Sequence, residues 1–185
     1  MFLGPDTTCF VMDPTRAGAV LARHAGIDSQ TGQLAGDGPR RLVIFSDFYA
    51  VYTAAGKKAD GLVNLCCWAH LRRHFVRAGD ANPTQLRCWT AAWLARVKAL
   101  YAAHEQLMAA WTAAAAPAQT AAAAARLREA YDAWDTALEA IDAERHTQMA
   151  APGLQEPAKK ALATLDRERD GLTAHRGYRS LILVT

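Results

Sequence analysis

Two groups of side chains in this sequence have the types and spacing to do chemistry. Asp47 follows the apolar run Leu42–Phe45 and Ser46, and it stands directly before an aromatic stretch with helical spacing. A carboxylate at a strand end can hold a divalent cation, because a hard ion such as Mg²⁺ takes one or two carboxylates together with substrate phosphate oxygens. A short polar residue at that point can also simply cap the next helix, so Ser46 or Asp47 has a structural reading as well. The second group is His70, Arg72, Arg73, His74 and Arg77. Cations gathered on one helix meet phosphates or acidic side chains, or they only keep a face in water. His70 and His74 are four residues apart with Cys67 close by, a spacing that can ligate zinc, but these donors lack the fourth ligand of a closed site.

The elements that must position these groups follow from periodicity. Leu62–Cys67 is a mostly apolar run bounded by Gly61, as expected of a strand covered on both faces. From Trp68 the period changes to that of a helix. Trp68, Leu71, Phe75 and Ala78 would line its buried side, and His70, Arg73, His74 and Arg77 the other. The cations therefore start just past a strand end, where open α/β sheets place binding sites. Upstream, Thr8–Met12 reads as a strand joined through Gly4-Pro5-Asp6-Thr7 to a short first arm, Met1–Leu3. Asp13-Pro14 opens a helix running to Gly26, Asp28–Arg41 reads as a loop, and Phe48–Ala55 as a short helix. Strands alternating with helices at this interval give an α/β layer with parallel later strands.

Beyond Gly79 the pattern is helical. After the start signal Asp80-Ala81-Asn82-Pro83, Leu86, Trp93, Leu100 and Leu107 recur every seven residues, with Thr90, Val97, His104 and Trp111 four places after each. Ala113–Gln119, with Pro117, breaks the helix. Leu127, Tyr131, Trp134, Leu138 and Ile141 then mark a second helix folding back on the first, with the tryptophans at 89, 93, 111 and 134 read as seam residues. Pro157–Arg169 reads as one more helix and Gly171–Tyr178 as a loop.

The chain has 185 residues, 51% of them hydrophobic and 21% charged, enough for one substantial domain or a domain with an insert. A net charge of +3, with the basic excess mainly in residues 1–79, permits a nucleic-acid partner without demanding one. No stretch approaches the roughly 20 apolar residues of a membrane helix, and the first ten residues have no signal-peptide pattern, so no membrane role and a cytoplasmic location are expected. The four cysteines lack disulfide-framework spacing and read as reduced thiols.

Ser46-Asp47-Phe48-Tyr49-Ala50-Val51-Tyr52, followed by Cys67-Trp68-Ala69-His70-Leu71-Arg72-Arg73-His74-Phe75, resembles transposases of the insertion-sequence-sixty-six family, and Gly171-Leu172-Thr173-Ala174-His175 extends the resemblance along essentially the whole chain. The resemblance implies a ribonuclease-H-like core carrying an Asp, Asp, Glu triad on two Mg²⁺ ions for DNA strand cleavage and transfer. Asp47 would be the second acid, the Cys67–Phe75 string would follow the next core strand, and the helical hairpin would be the insert before the third acid. The family's first aspartate lies upstream of where this chain begins. Its third acid follows in an Asp-Asn-Asn-x-x-Glu-Arg string, where this sequence reads Arg179–Thr185. Glu168 and Asp170 are the nearest acids, outside that motif.

The expectation is therefore an α/β protein, a partial ribonuclease-H-like core followed by a long α-helical hairpin insert. Residues 1–79 would form the core, 80–150 the insert, and 151–185 a C-terminal helix and truncated tail. It would be a transposase fragment, inactive alone, with Asp47 as catalytic and metal-binding acid and His70, Arg72, Arg73, His74 and Arg77 on DNA. Mg²⁺ would belong to the intact enzyme, and the partners would be DNA and further transposase copies. The competing reading is a non-catalytic helical interaction or DNA-binding module.

Overall fold

The computed structural model describes residues 2–3, 8–9, 18–28, 30–35, 42–114, 120–174 and 177. The Asp13-Pro14 helix start, the Pro117 break, His175 and the last residues lie outside them. The chain divides into two compact units, residues 1–44 with 49–64, and residues 45–48 with 65–185.

In the first unit, β1 (Phe2–Leu3) pairs antiparallel with β2 (Thr8–Cys9), Phe2 opposite Cys9. Helix α1 (Gly18–Ala25) packs against α2 (Ala50–Lys58), which begins two residues later than its aromatic spacing indicated. Between them, Asp28 folds its carboxylate onto the backbone N–H groups of Gln30 and Thr31, at 2.8 and 2.7 Å, and these bonds hold its carboxyl below the usual range. Gln33 bonds the Lys58 carbonyl and the Asp60 N–H, fixing this loop to the end of α2.

Strands β3 (Leu42–Ser46) and β4 (Leu62–Cys66) form a two-stranded parallel sheet with α2 between them in sequence, the expected α/β pattern. Gly56 makes this crossover possible, because a Cβ there would stand 2.9 Å from the Asn64 Cβ. Beyond β4 every element among the described residues is a helix, and helix dominates the described residues as a whole.

The second unit holds α3 (Trp68–Ala81), α4 (Pro83–Ala114), α5 (Ala121–Ala150), α6 (Glu156–Arg167) and α7 (Arg169–Thr173). All four apolar positions of α3 are buried as spaced. The seven-residue repeat of α4 supplies the core of the hairpin: Leu86, Trp93, Leu100 and Leu107 are buried in one cluster with Trp134, Leu138 and Ile141 of α5. Phe75 lies flat on Trp93, ring centroids 4.7 Å apart and planes 6° from parallel. Gly79 lets α3 and α4 touch, since a Cβ there would lie 2.6 Å from Thr90 Oγ1.

Two expectations are corrected. Trp111 is 40% exposed and not a seam residue. The pairs Arg96–Glu144 and His104–Trp134 set an antiparallel register that places Trp111 level with Leu127–Glu129, three residues from the end of α4, where α5 leaves its indole open to solvent. Gly171–Thr173 is helix and not loop: α7 follows α6 after one residue, and Leu172 is buried with its carbonyl accepting from Trp68 Nε1 at 3.1 Å. Among the described residues Cys66, Cys67 and Cys88 form no disulfide, and no helix is long and apolar enough to cross a membrane.

Candidate functional site

β3 delivers Asp47 half-buried at its C-terminal end. The helix-capping reading does not hold. The N-cap of α2 is Tyr49, with no side-chain cap hydrogen bond, and the Ser46 hydroxyl donates to the Asp47 carbonyl at 2.8 Å. The Cys67 N–H donates to the Ser46 carbonyl at 3.0 Å, and Cys67 is the N-cap residue of α3. Asp47 therefore stands beside the residue from which the cationic helix starts.

Cys66, the last residue of β4, reports the charges around this strand end. Its thiol is pushed up to about 12 by burial first, then by the negative charges of Glu168, Cys67 and Asp47 and by its hydrogen bond to Glu168. Two carboxylates from distant parts of the sequence thus act on one buried thiol. Glu168 is the only buried carboxylate among the described residues. It accepts from Cys66 Sγ at 3.9 Å and from Arg167 Nε at 2.7 Å. In the sequence Glu168 stands out only as one of the acids nearest the family's third, outside its motif, and it is the packing of α6 on α3 that carries it beside Cys66.

On α3, His70, Arg72, Arg73 and Arg77 are exposed, and His74 is half-buried with its ring 5.7 Å from that of Phe48. The His74 imidazole is held below its ordinary value by burial first, then by the positive charges of Arg77, Arg167 and His70. Arg167 was not among the residues expected here, and its local sequence carries no signal for it. The only indication is the apolar set Ala158, Ala161, Leu162 and Leu165, which packs α6 inward. Arg72 reaches a different neighbour: its charge partly offsets the burial that pushes the Tyr101 hydroxyl up to about 12.

The donor chemistry separates two kinds of cation. Asp47 offers hard oxygen of the kind Mg²⁺ takes when phosphates supply the remaining ligands. The described residues contain no group of three His, Cys, Asp or Glu side chains able to hold a metal, so Cys67, His70 and His74 do not converge as a zinc set.

No curated protein and no solved structure matches this chain. The family model described as "Transposase IS66 family" matches it over residues 2–181, nearly its full length. With the Asp47 strand end and the Cys67–Phe75 helix both inside that span, the chain belongs to the IS66 transposase family.

Proposed function

We propose that this chain contributes the DNA-backbone grip and one metal-holding carboxylate to transposase chemistry. The observation that carries the reading is the exposure of His70, Arg72, Arg73 and Arg77 on a single helix that begins beside Asp47. Phosphate contacts need only cationic side chains at the surface, and they fix position on the duplex without reading sequence. In this reading residues 1–79 belong to a ribonuclease-H-like core, 80–150 are its helical insert, and 151–185 return the chain to the core. Asp47 would hold Mg²⁺ together with phosphate oxygens of DNA, and the bound ion would polarise the phosphoryl group. This chain's own residues grip and orient the strand.

Replacing Arg72, Arg73 and Arg77 together with alanine should weaken binding to a DNA duplex of arbitrary sequence and flatten its salt dependence. Unchanged affinity and slope would leave α3 a merely solvated face. By itself the chain should neither nick nor join DNA with Mg²⁺ or Mn²⁺, since two-metal chemistry needs carboxylates converging from separate elements. Metal-dependent nicking of supercoiled DNA that is lost in Asp47→Ala would overturn that expectation. A second reading, the hairpin as an interaction module, draws on the exposed Trp111. It calls for self-association that is insensitive to salt and lost in Trp111→Ala.

A further inference from the structure

The junction between α6 and α7 is fastened to the start of α3 at two points. Cys66 donates to Glu168 Oε2 just before α3, and Trp68 Nε1, in its first turn, donates to the Leu172 carbonyl. Arg167 is the last residue of α6, with its side chain 60% exposed and its Nε committed to Glu168 Oε1 at 2.7 Å. A guanidinium held through Nε presents its two Nη groups as a planar edge that matches two phosphate oxygens. We propose that Arg167 is a phosphate-binding residue held in place by Glu168, so that a nucleic-acid backbone lies across α3 and the α6–α7 junction and not on α3 alone.

This inference rests on the DNA-binding reading of α3. Three observations support it. Arg167 charge reaches His74, so it shares the field of Arg77 and His70. Glu168 is 5% exposed and fixed by Cys66 as well, so it is a rigid partner for a side chain that would otherwise swing freely. The two cationic segments are separated by the whole hairpin in sequence, so a strand touching both is gripped from two independently anchored elements. Glu168 touches no phosphate in this scheme and is a positioning residue.

The test uses the full chain and a fluorescein-labelled DNA duplex of arbitrary sequence, titrated over a series of NaCl concentrations. Arg167→Ala should weaken binding about 3- to 10-fold and lower the slope of log affinity against log salt by about one, read well below a thermal midpoint that itself falls because the buried Glu168 loses its charge partner. Glu168→Gln, which keeps shape but removes the charge, should also weaken binding, and adding Arg167→Ala to it should cause little further loss. Tighter binding by Glu168→Gln, or full additivity in the double variant, would show that Glu168 only repels DNA or acts separately, and would overturn the positioning role. Loss of binding in the Arg72, Arg73, Arg77 variant with none in Arg167→Ala would overturn the inference and leave the reading of α3 standing. No loss in either would remove both.

Discussion

Gln148 bonds three other side chains of the hairpin. Its Oε1 accepts from Trp89 Nε1 at 2.7 Å and from Trp93 Nε1 at 3.0 Å. Its Nε2 donates to Glu144, which forms a 2.9 Å ion pair with Arg96, and Arg96 lies over the Trp93 ring. Gln148→Leu keeps the approximate volume and removes the acceptor. Trp93 is fully buried, so its indole N–H cannot turn to water, and an orphaned buried donor costs about 1–3 kcal/mol. Trp89 is only partly buried and recovers much of its loss by hydration, leaving roughly 0.5–1 kcal/mol. The sum, about 1.5–4 kcal/mol, is a large part of a domain's stability and should lower the thermal midpoint by on the order of 10 °C. Thermal and urea unfolding followed by far-ultraviolet dichroism and tryptophan fluorescence would measure it. Most of the loss comes from one stranded donor, so Trp93→Phe should cost less in the Gln148→Leu background than in the native one. If the two changes simply add, the penalty lies in packing and the hydrogen-bond argument fails.

Gly79→Ala should destabilise by about 1–3 kcal/mol through collision with Thr90, and Thr90→Ala in the same chain should recover most of it in urea midpoints; no recovery would place the strain elsewhere. Asp142 is bound by Arg169 at 2.8 and 2.9 Å and by Arg145, which hold its carboxyl below the ordinary 3.8. Its partial exposure limits the effect to about 1 kcal/mol at most. A depressed carboxyl stabilises above its unfolded value and loses that contribution as pH falls through the lower folded one, so Asp142→Asn should destabilise near neutrality and match the native chain in strong acid. A gap that persists in acid would rule out the ion pairs as its cause. Peptide mapping after iodoacetamide at mildly alkaline pH should find Cys88 modified and Cys66 protected, because Cys66 is buried and its thiol stays protonated to about 12; equal labelling would contradict that environment.

The hairpin was legible because its signal is long. Four leucine and tryptophan positions at seven-residue intervals, answered by Trp134, Leu138 and Ile141, leave few alternatives to two packed helices, and Trp93 and Trp134 are both buried. The same repeat misplaced Trp111, since periodicity says which way a side chain points but not whether the partner helix covers it there. Trp68, Leu71, Phe75 and Ala78 separated the two sides of α3 correctly, which fixed where the cations had to be. Arg167 was beyond reach for a different reason, and Glu168 was legible only as an acid near the family's last one. They come to α3 through the packing of α6, a contact between segments about 100 residues apart that no local pattern encodes.

The close approach of Gly79 to Thr90 leaves the joint between α3 and α4 without slack, and α4 runs unbroken from there to Ala114. At 1.5 Å per residue that is a stiff arm of about 36 Å. A tilt of about 5° at the joint would swing its far end by roughly 3 Å, the size of a hydrogen bond. The helix bearing the cations and the far end of the hairpin thus behave as fulcrum and lever, so a load applied at either is felt at the other through rigid geometry alone.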